Sequence, residues 1–79
     1  MSPTVFRYKG YRFFFFSREE NRMHIHVYSE KGEAKFWIEP LVSLAQNYGM
    51  SKKDLKELQK VIEDKQNEIK RSWKKYFSN

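Results

Sequence analysis

The chain contains no cysteine. That excludes a disulfide-stapled scaffold and favours a reducing compartment, so a cytoplasmic location is expected. Long apolar runs are also missing. The run Phe13-Phe14-Phe15-Phe16 is too short for a membrane span or the core of a signal peptide, and no membrane partner is expected. Histidine is scarce, with only His24 and His26. Two imidazoles on one strand would need a third ligand from Glu19, Glu20 or Glu39, and nothing in the spacing demands one. No metal and no cofactor are expected. Repeats, linkers and low-complexity segments are absent.

What remains is short and rich in rings. Seventy-nine residues make a single domain, 1–79, near the lower limit for a core that folds unaided. Aromatic residues make up 18% of the chain, enough apolar area to compensate for the missing staples. The net charge is +6. Such a surplus favours an acidic partner, nucleic acid first and an acidic protein second, although plain solubility accounts for it equally well. Much of the positive charge falls in the C-terminal segment, where acidic residues are interspersed and a solvated helix face suffices.

Residues 4–8 and 11–16 are β-rich, and Lys9-Gly10 between them suits a two-residue hairpin turn. Tyr8 then faces Tyr11, Arg7 faces Arg12, Phe6 faces Phe13 and Val5 faces Phe14. Residues 17–22 read as a polar loop. A second hairpin joins residues 23–28 to 33–39 through Ser29-Glu30-Lys31-Gly32. Pairing Tyr28 with Glu33 puts Ile25 opposite Phe36, Val27 opposite Ala34 and Met23 opposite Ile38, all on one face. The other face holds His24 opposite Trp37 and His26 opposite Lys35. A one-residue slip would mix the two sets, so this register is expected.

Pro40 suits the first turn of a helix, and Leu41, Leu44, Ala45 and Tyr48 fall on one helical face, with Gly49 as its stop. The spacing predicts a short helix over 40–49. Ser51 followed by Asp54 is a near relative of the capping box and starts a long helix over 51–77, with a break near Asn67 as the alternative. Leu55, Leu58, Ile62, Ile69, Trp73 and Tyr76 form its stripe. The expected fold is α+β: a four-stranded antiparallel sheet over residues 1–39, made of two hairpins, followed by two helices packed on one face. The opposite sheet face is left open.

Several segments together carry a family resemblance: Thr4-Val5-Phe6-Arg7, Gly10-Tyr11-Arg12-Phe13-Phe14-Phe15, His24-Ile25-His26-Val27, Gly32-Glu33-Ala34-Lys35-Phe36-Trp37 and Asn47-Tyr48-Gly49. In this order they resemble the small prokaryotic proteins of domain-of-unknown-function family 4160, over nearly the whole chain. Arg22-Met23 stands where many relatives carry prolines. The resemblance implies no established activity. It does imply a second small protein as cognate partner, since members are often encoded in pairs regarded as candidate toxin–antitoxin modules.

The open face concentrates the chemistry. His24 and His26, two apart on a strand, point to one side. Arg7, Arg12 and Lys35 join them, with Phe14, Tyr28 and Trp37 among the cations. Cations interleaved with aromatics suit single-stranded or looped RNA in preference to DNA, with Arg7, Arg12, Phe14, Tyr28 and Trp37 as the binding set. His24, His26 and Lys35 also suit metal-free phosphodiester cleavage. One imidazole would take the ribose proton, the other would protonate the leaving oxygen, and the ammonium would stabilise the phosphate. Against this stands the plain reading that His-x-His pairs occur on strands by chance.

A toxin-type ribonuclease or RNA-binding module is therefore the leading expectation. A non-enzymatic protein partner, binding through Phe14, Tyr28 and Trp37, is the alternative. The Ala45, Gly49 and Leu55 spacing also matches helix-turn-helix DNA readers that would present Lys52, Lys53, Lys56 and Lys60. An ordinary helical hairpin whose Gly and Ser are only caps is the favoured explanation of that spacing.

Overall fold

The computed structural model describes residues 3–16 and 20–77. Five strands precede two helices: β1 (Thr4–Tyr8), β2 (Tyr11–Phe14), β3 (His24–Ser29), β4 (Gly32–Trp37), β5 (Ser43–Tyr48), α1 (Lys52–Asp64) and α2 (Gln66–Phe77). The strands form one antiparallel sheet in the order β1-β2-β3-β4-β5, each beside its neighbour in sequence. The α+β class, with an antiparallel sheet followed by two helices, matches the expectation. The number of strands and the position of the first helix do not.

The first hairpin turns at Lys9 and Gly10, both at positive φ (46° and 82°), as a tight two-residue β-turn matched to strand twist requires. Phe6, Arg7 and Tyr8 pair with Phe13, Arg12 and Tyr11. The expected Val5–Phe14 pair is replaced by Thr4–Phe14, because the register shifts between Thr4 and Phe6. Val5 is thereby free to pack with Phe6 against the core.

The second hairpin has the expected register throughout, from His24–Trp37 to Tyr28–Glu33. Beyond the strand ends, the Ile38 amide donates to the Met23 carbonyl at 2.9 Å. The two hairpins join through Arg12–Tyr28, Phe13–Val27 and Phe14–His26.

The expected helix over 40–49 is instead a turn at residues 39–41 followed by β5, which pairs Tyr48 with Glu33, Gln46 with Lys35 and Ser43 with Trp37. The helical spacing of Leu41, Leu44 and Tyr48 is real, but all three side chains are exposed. Local periodicity lost to the outer edge of β4, whose backbone groups are satisfied by adding a strand. Gly32 makes this possible: a Cβ there would lie 2.2 Å from the Tyr48 carbonyl oxygen, so only glycine lets the end of β5 lie against the start of β4. Ala45 lies in a strand, so the first helix expected from the Ala45, Gly49 and Leu55 spacing is absent.

Asn47, near the end of β5, then redirects the chain. Its side chain accepts from the Met50 amide and donates to the Met50 carbonyl, both at 3.1 Å, turning the chain into α1. Ser51 caps α1, accepting from the Asp54 amide at 3.1 Å. The long helix breaks at Lys65, whose amide is shared between the Val61 and Ile62 carbonyls (3.1 and 3.2 Å). This is two residues before the alternative break at Asn67. The core unites Phe13, Ile25, Val27 and Phe36 from one side of the sheet with Leu58, Ile62 and Ile69 of the helices. Polar ties reinforce it at the turns. The Tyr8 hydroxyl donates to Glu57 Oε2 at 2.7 Å, Lys9 reaches the same oxygen at 3.3 Å, and Lys31 lies 3.5 Å from Asp54.

Candidate functional site

Strand alternation sends every second side chain of β2, β3 and β4 to the side opposite Phe13, Ile25 and Phe36. Cross-strand pairing arranges them in rows. One row runs Arg7, Arg12, Tyr28, Glu33 and Tyr48 across all five strands. The next runs Thr4, Phe14, His26, Lys35 and Gln46, and a third holds His24, Trp37 and Ser43. The residues singled out in the sequence thus share one face, and the predicted pairs His24–Trp37, His26–Lys35 and Arg7–Arg12 all form.

Their accessibility divides them. His24 has no exposed surface. Its ring lies 5.1 Å from Trp73 of α2, 5.3 Å from His26 and 5.9 Å from Trp37. Its Nδ1 is 2.6 Å from the Arg22 carbonyl oxygen, which can only accept, so Nδ1 carries a proton. The expectation that both imidazoles look outward from a bare surface is corrected for His24, because Trp73 closes over it. His26 is half-buried, stacked on Phe14 at 5.4 Å with Phe16 edge-on at 4.7 Å.

Lys35 is buried as well. Its ammonium pairs with the Glu20 carboxylate and lies 4.7 Å from the Trp37 ring centre. That hydrogen bond holds the Glu20 carboxyl below the usual carboxylate range. Arg22 covers Trp37 at 4.2 Å while donating to the Glu39 carbonyl at 2.9 Å. Phe14, expected among the exposed rings, is buried beneath the Arg12 guanidinium at 4.5 Å. Arg12 also donates to the Thr4 hydroxyl at 2.6 Å. Trp37 is only partly accessible. Of the expected aromatic patch, Tyr28 alone stands well out, at 50% exposure.

The accessible part of the face lies in the first row and its border. Arg7 is exposed, Tyr48 is 64% exposed, and Phe16 contributes an accessible ring. Between Phe16, His26, Glu33, Lys35, Gln46 and Tyr48 lies an open groove of about 320 Å³. Gln46 and Tyr48 were missed because their segment reads as a helix. Glu33 was legible, since its pairing with Tyr28 was expected. Among the described residues no group of three His, Cys, Asp or Glu side chains could hold a metal ion; Glu19, one of the weighed third ligands, lies outside them.

The family model for a domain of unknown function, DUF4160, matches residues 10–74. The chain belongs to this family. No curated protein and no solved structure matches it. The DUF4160 match covers β2 to most of α2 and thus the histidines, Glu33 and Tyr48, while Arg7 and the rest of β1 precede it. No helix among the described residues is long and apolar enough to cross a membrane.

Proposed function

We propose that the protein is a single-stranded RNA-binding module acting through the open sheet face. The row Arg7, Arg12, Tyr28, Glu33, Tyr48 carries this reading: paired cations at one end and two accessible rings at the other, set on a flat β-surface. Bases of any identity stack on such rings, while phosphates meet the guanidiniums. Arg7 and Arg12 face each other directly and so concentrate positive charge at one end of the row. The ribonuclease version of this reading is the weaker one. His24 is enclosed by Trp73, Lys35 is engaged by Glu20, and the half-buried His26 has its Nε2 turned away from solvent.

Fluorescence anisotropy with a labelled oligouridylate, titrated at several salt concentrations, tests the proposal. Binding should weaken steeply with salt, and Arg7→Ala should reduce the log–log slope by about 0.7. Tyr48→Ala should cost about 1–3 kcal/mol of affinity, with stability changed by less than about 0.5 kcal/mol. Salt-independent binding, or equal affinity of wild type and both variants, would remove the reading. Intact RNA after prolonged incubation with active, folded protein would set aside cleavage alone.

A protein partner is the second reading, favoured by β5. This edge strand carries no charge, and the nearby Leu41 and Leu44 are 75% and 43% exposed. Uncharged edges are open to strand addition. Co-purification with a second small protein, lost in Leu44→Lys, would support it. Retention of the partner by that variant would place the contact elsewhere.

A further inference from the structure

We propose that Glu33 makes the RNA-binding face selective for guanine, an inference that rests on the RNA-binding reading. Glu33 is a carboxylate on a face otherwise suited to phosphate, and it sits between Tyr28 and Tyr48 in the same row. Lys35 pairs with Glu20, and among the described residues no cation lies within ion-pair distance of Glu33. A negative charge here opposes phosphate binding, so its fitting partner is a neutral group with N–H donors.

The groove beside it supplies the room. Its volume of about 320 Å³ falls at the lower end of small-molecule sites, and Tyr48, Gln46 and His26 share its lining with Glu33. A base stacked on Tyr48 turns an edge toward the Glu33 carboxylate. Guanine presents two adjacent donors on its Watson–Crick edge, the ring N–H and the exocyclic amine, which match the two oxygens of a carboxylate. Uracil offers one donor flanked by carbonyls, which repel the carboxylate. Adenine and cytosine each offer an amine beside an acceptor. Only guanine makes both bonds without opposing lone pairs.

Anisotropy titrations with short oligouridylates carrying one central guanosine, adenosine, cytidine or inosine test this. The guanosine oligomer should bind about tenfold more tightly than the unsubstituted one, as a bidentate pair implies. Inosine, which lacks the amine, should forfeit most of that gain. Glu33→Gln should bring all five oligomers to within about twofold of one another while keeping or strengthening oligouridylate binding. Equal affinities for the wild type, or a guanine preference that survives Glu33→Gln, overturn the assignment and leave RNA binding standing. Failure of the wild type to bind any of the oligomers overturns both.

Discussion

The two faces of the sheet come from the same strands yet obey different rules. On one, Phe13, Ile25, Val27 and Phe36 are wholly or almost wholly removed from solvent and meet Leu58, Ile62 and Ile69. On the other, buried and exposed side chains are interspersed, and burial is achieved with rings and charges: His24 under Trp73, Lys35 against Trp37 and Glu20, Phe14 under Arg12. The first face therefore stands or falls by packing. The second is half structural and half available, and the division between the halves decides which residues can serve a ligand.

Substitutions break this comparison in a definite order. The largest loss is expected from Phe36→Ala, at the centre of the packed face: about 3–5 kcal/mol by urea denaturation, a large share of what a small domain has. Gly32→Ala should follow, at about 2–3 kcal/mol, because the new Cβ meets the Tyr48 backbone and must displace β5. Wild-type stability in that variant would mean that β5 yields easily. Within the open face, His24→Ala should cost about 1–2 kcal/mol and His26→Ala less than about 1 kcal/mol, since only the first vacates an enclosed site. The reverse order in thermal melts would contradict the burial of His24.

The smallest effect is electrostatic. The Tyr8 hydroxyl, then Lys9, holds the Glu57 carboxyl below the usual carboxylate range, and the Ser51 hydroxyl does the same for Asp54. A carboxyl depressed in the folded state stabilises the fold fully above its ordinary value and loses that contribution as pH falls through the depressed one. Stability should therefore decline modestly on acidification from neutrality to about pH 3, and Glu57→Gln should flatten the profile. A variant profile parallel to that of the wild type would remove Glu57 from the account.

Strand alternation made most of this legible in advance. The pairing of Ile25 with Phe36 and of His26 with Lys35 follows from separating apolar from polar side chains, and the Lys9-Gly10 turn follows from its residues. What alternation does not reveal is how high a neighbour stands above the sheet. His24 and His26 look equivalent in sequence; Trp73, far along the chain, covers only the first. The segment 41–48 misled for a related reason. Leu41, Leu44 and Tyr48 have helical spacing, but the hydrogen-bonding edge of β4 is a long-range influence that periodicity does not contain. Glu33, by contrast, was correctly placed opposite Tyr28, and only the neighbour on its other side, Tyr48, gives that position a chemical meaning.

Because every strand lies beside its predecessor, the sheet can zip up in the order in which the chain is synthesised. Each new strand closes only a short loop onto the one before it, so the entropic barrier to each addition is small and folding should be quick for a β-rich chain. The bond from Tyr8 to Glu57, forty-nine residues apart, belongs to the other end of that scale. It forms only once α1 swings back to the first hairpin, and it acts as the clasp that fastens the earliest-made part of the molecule to one of the last.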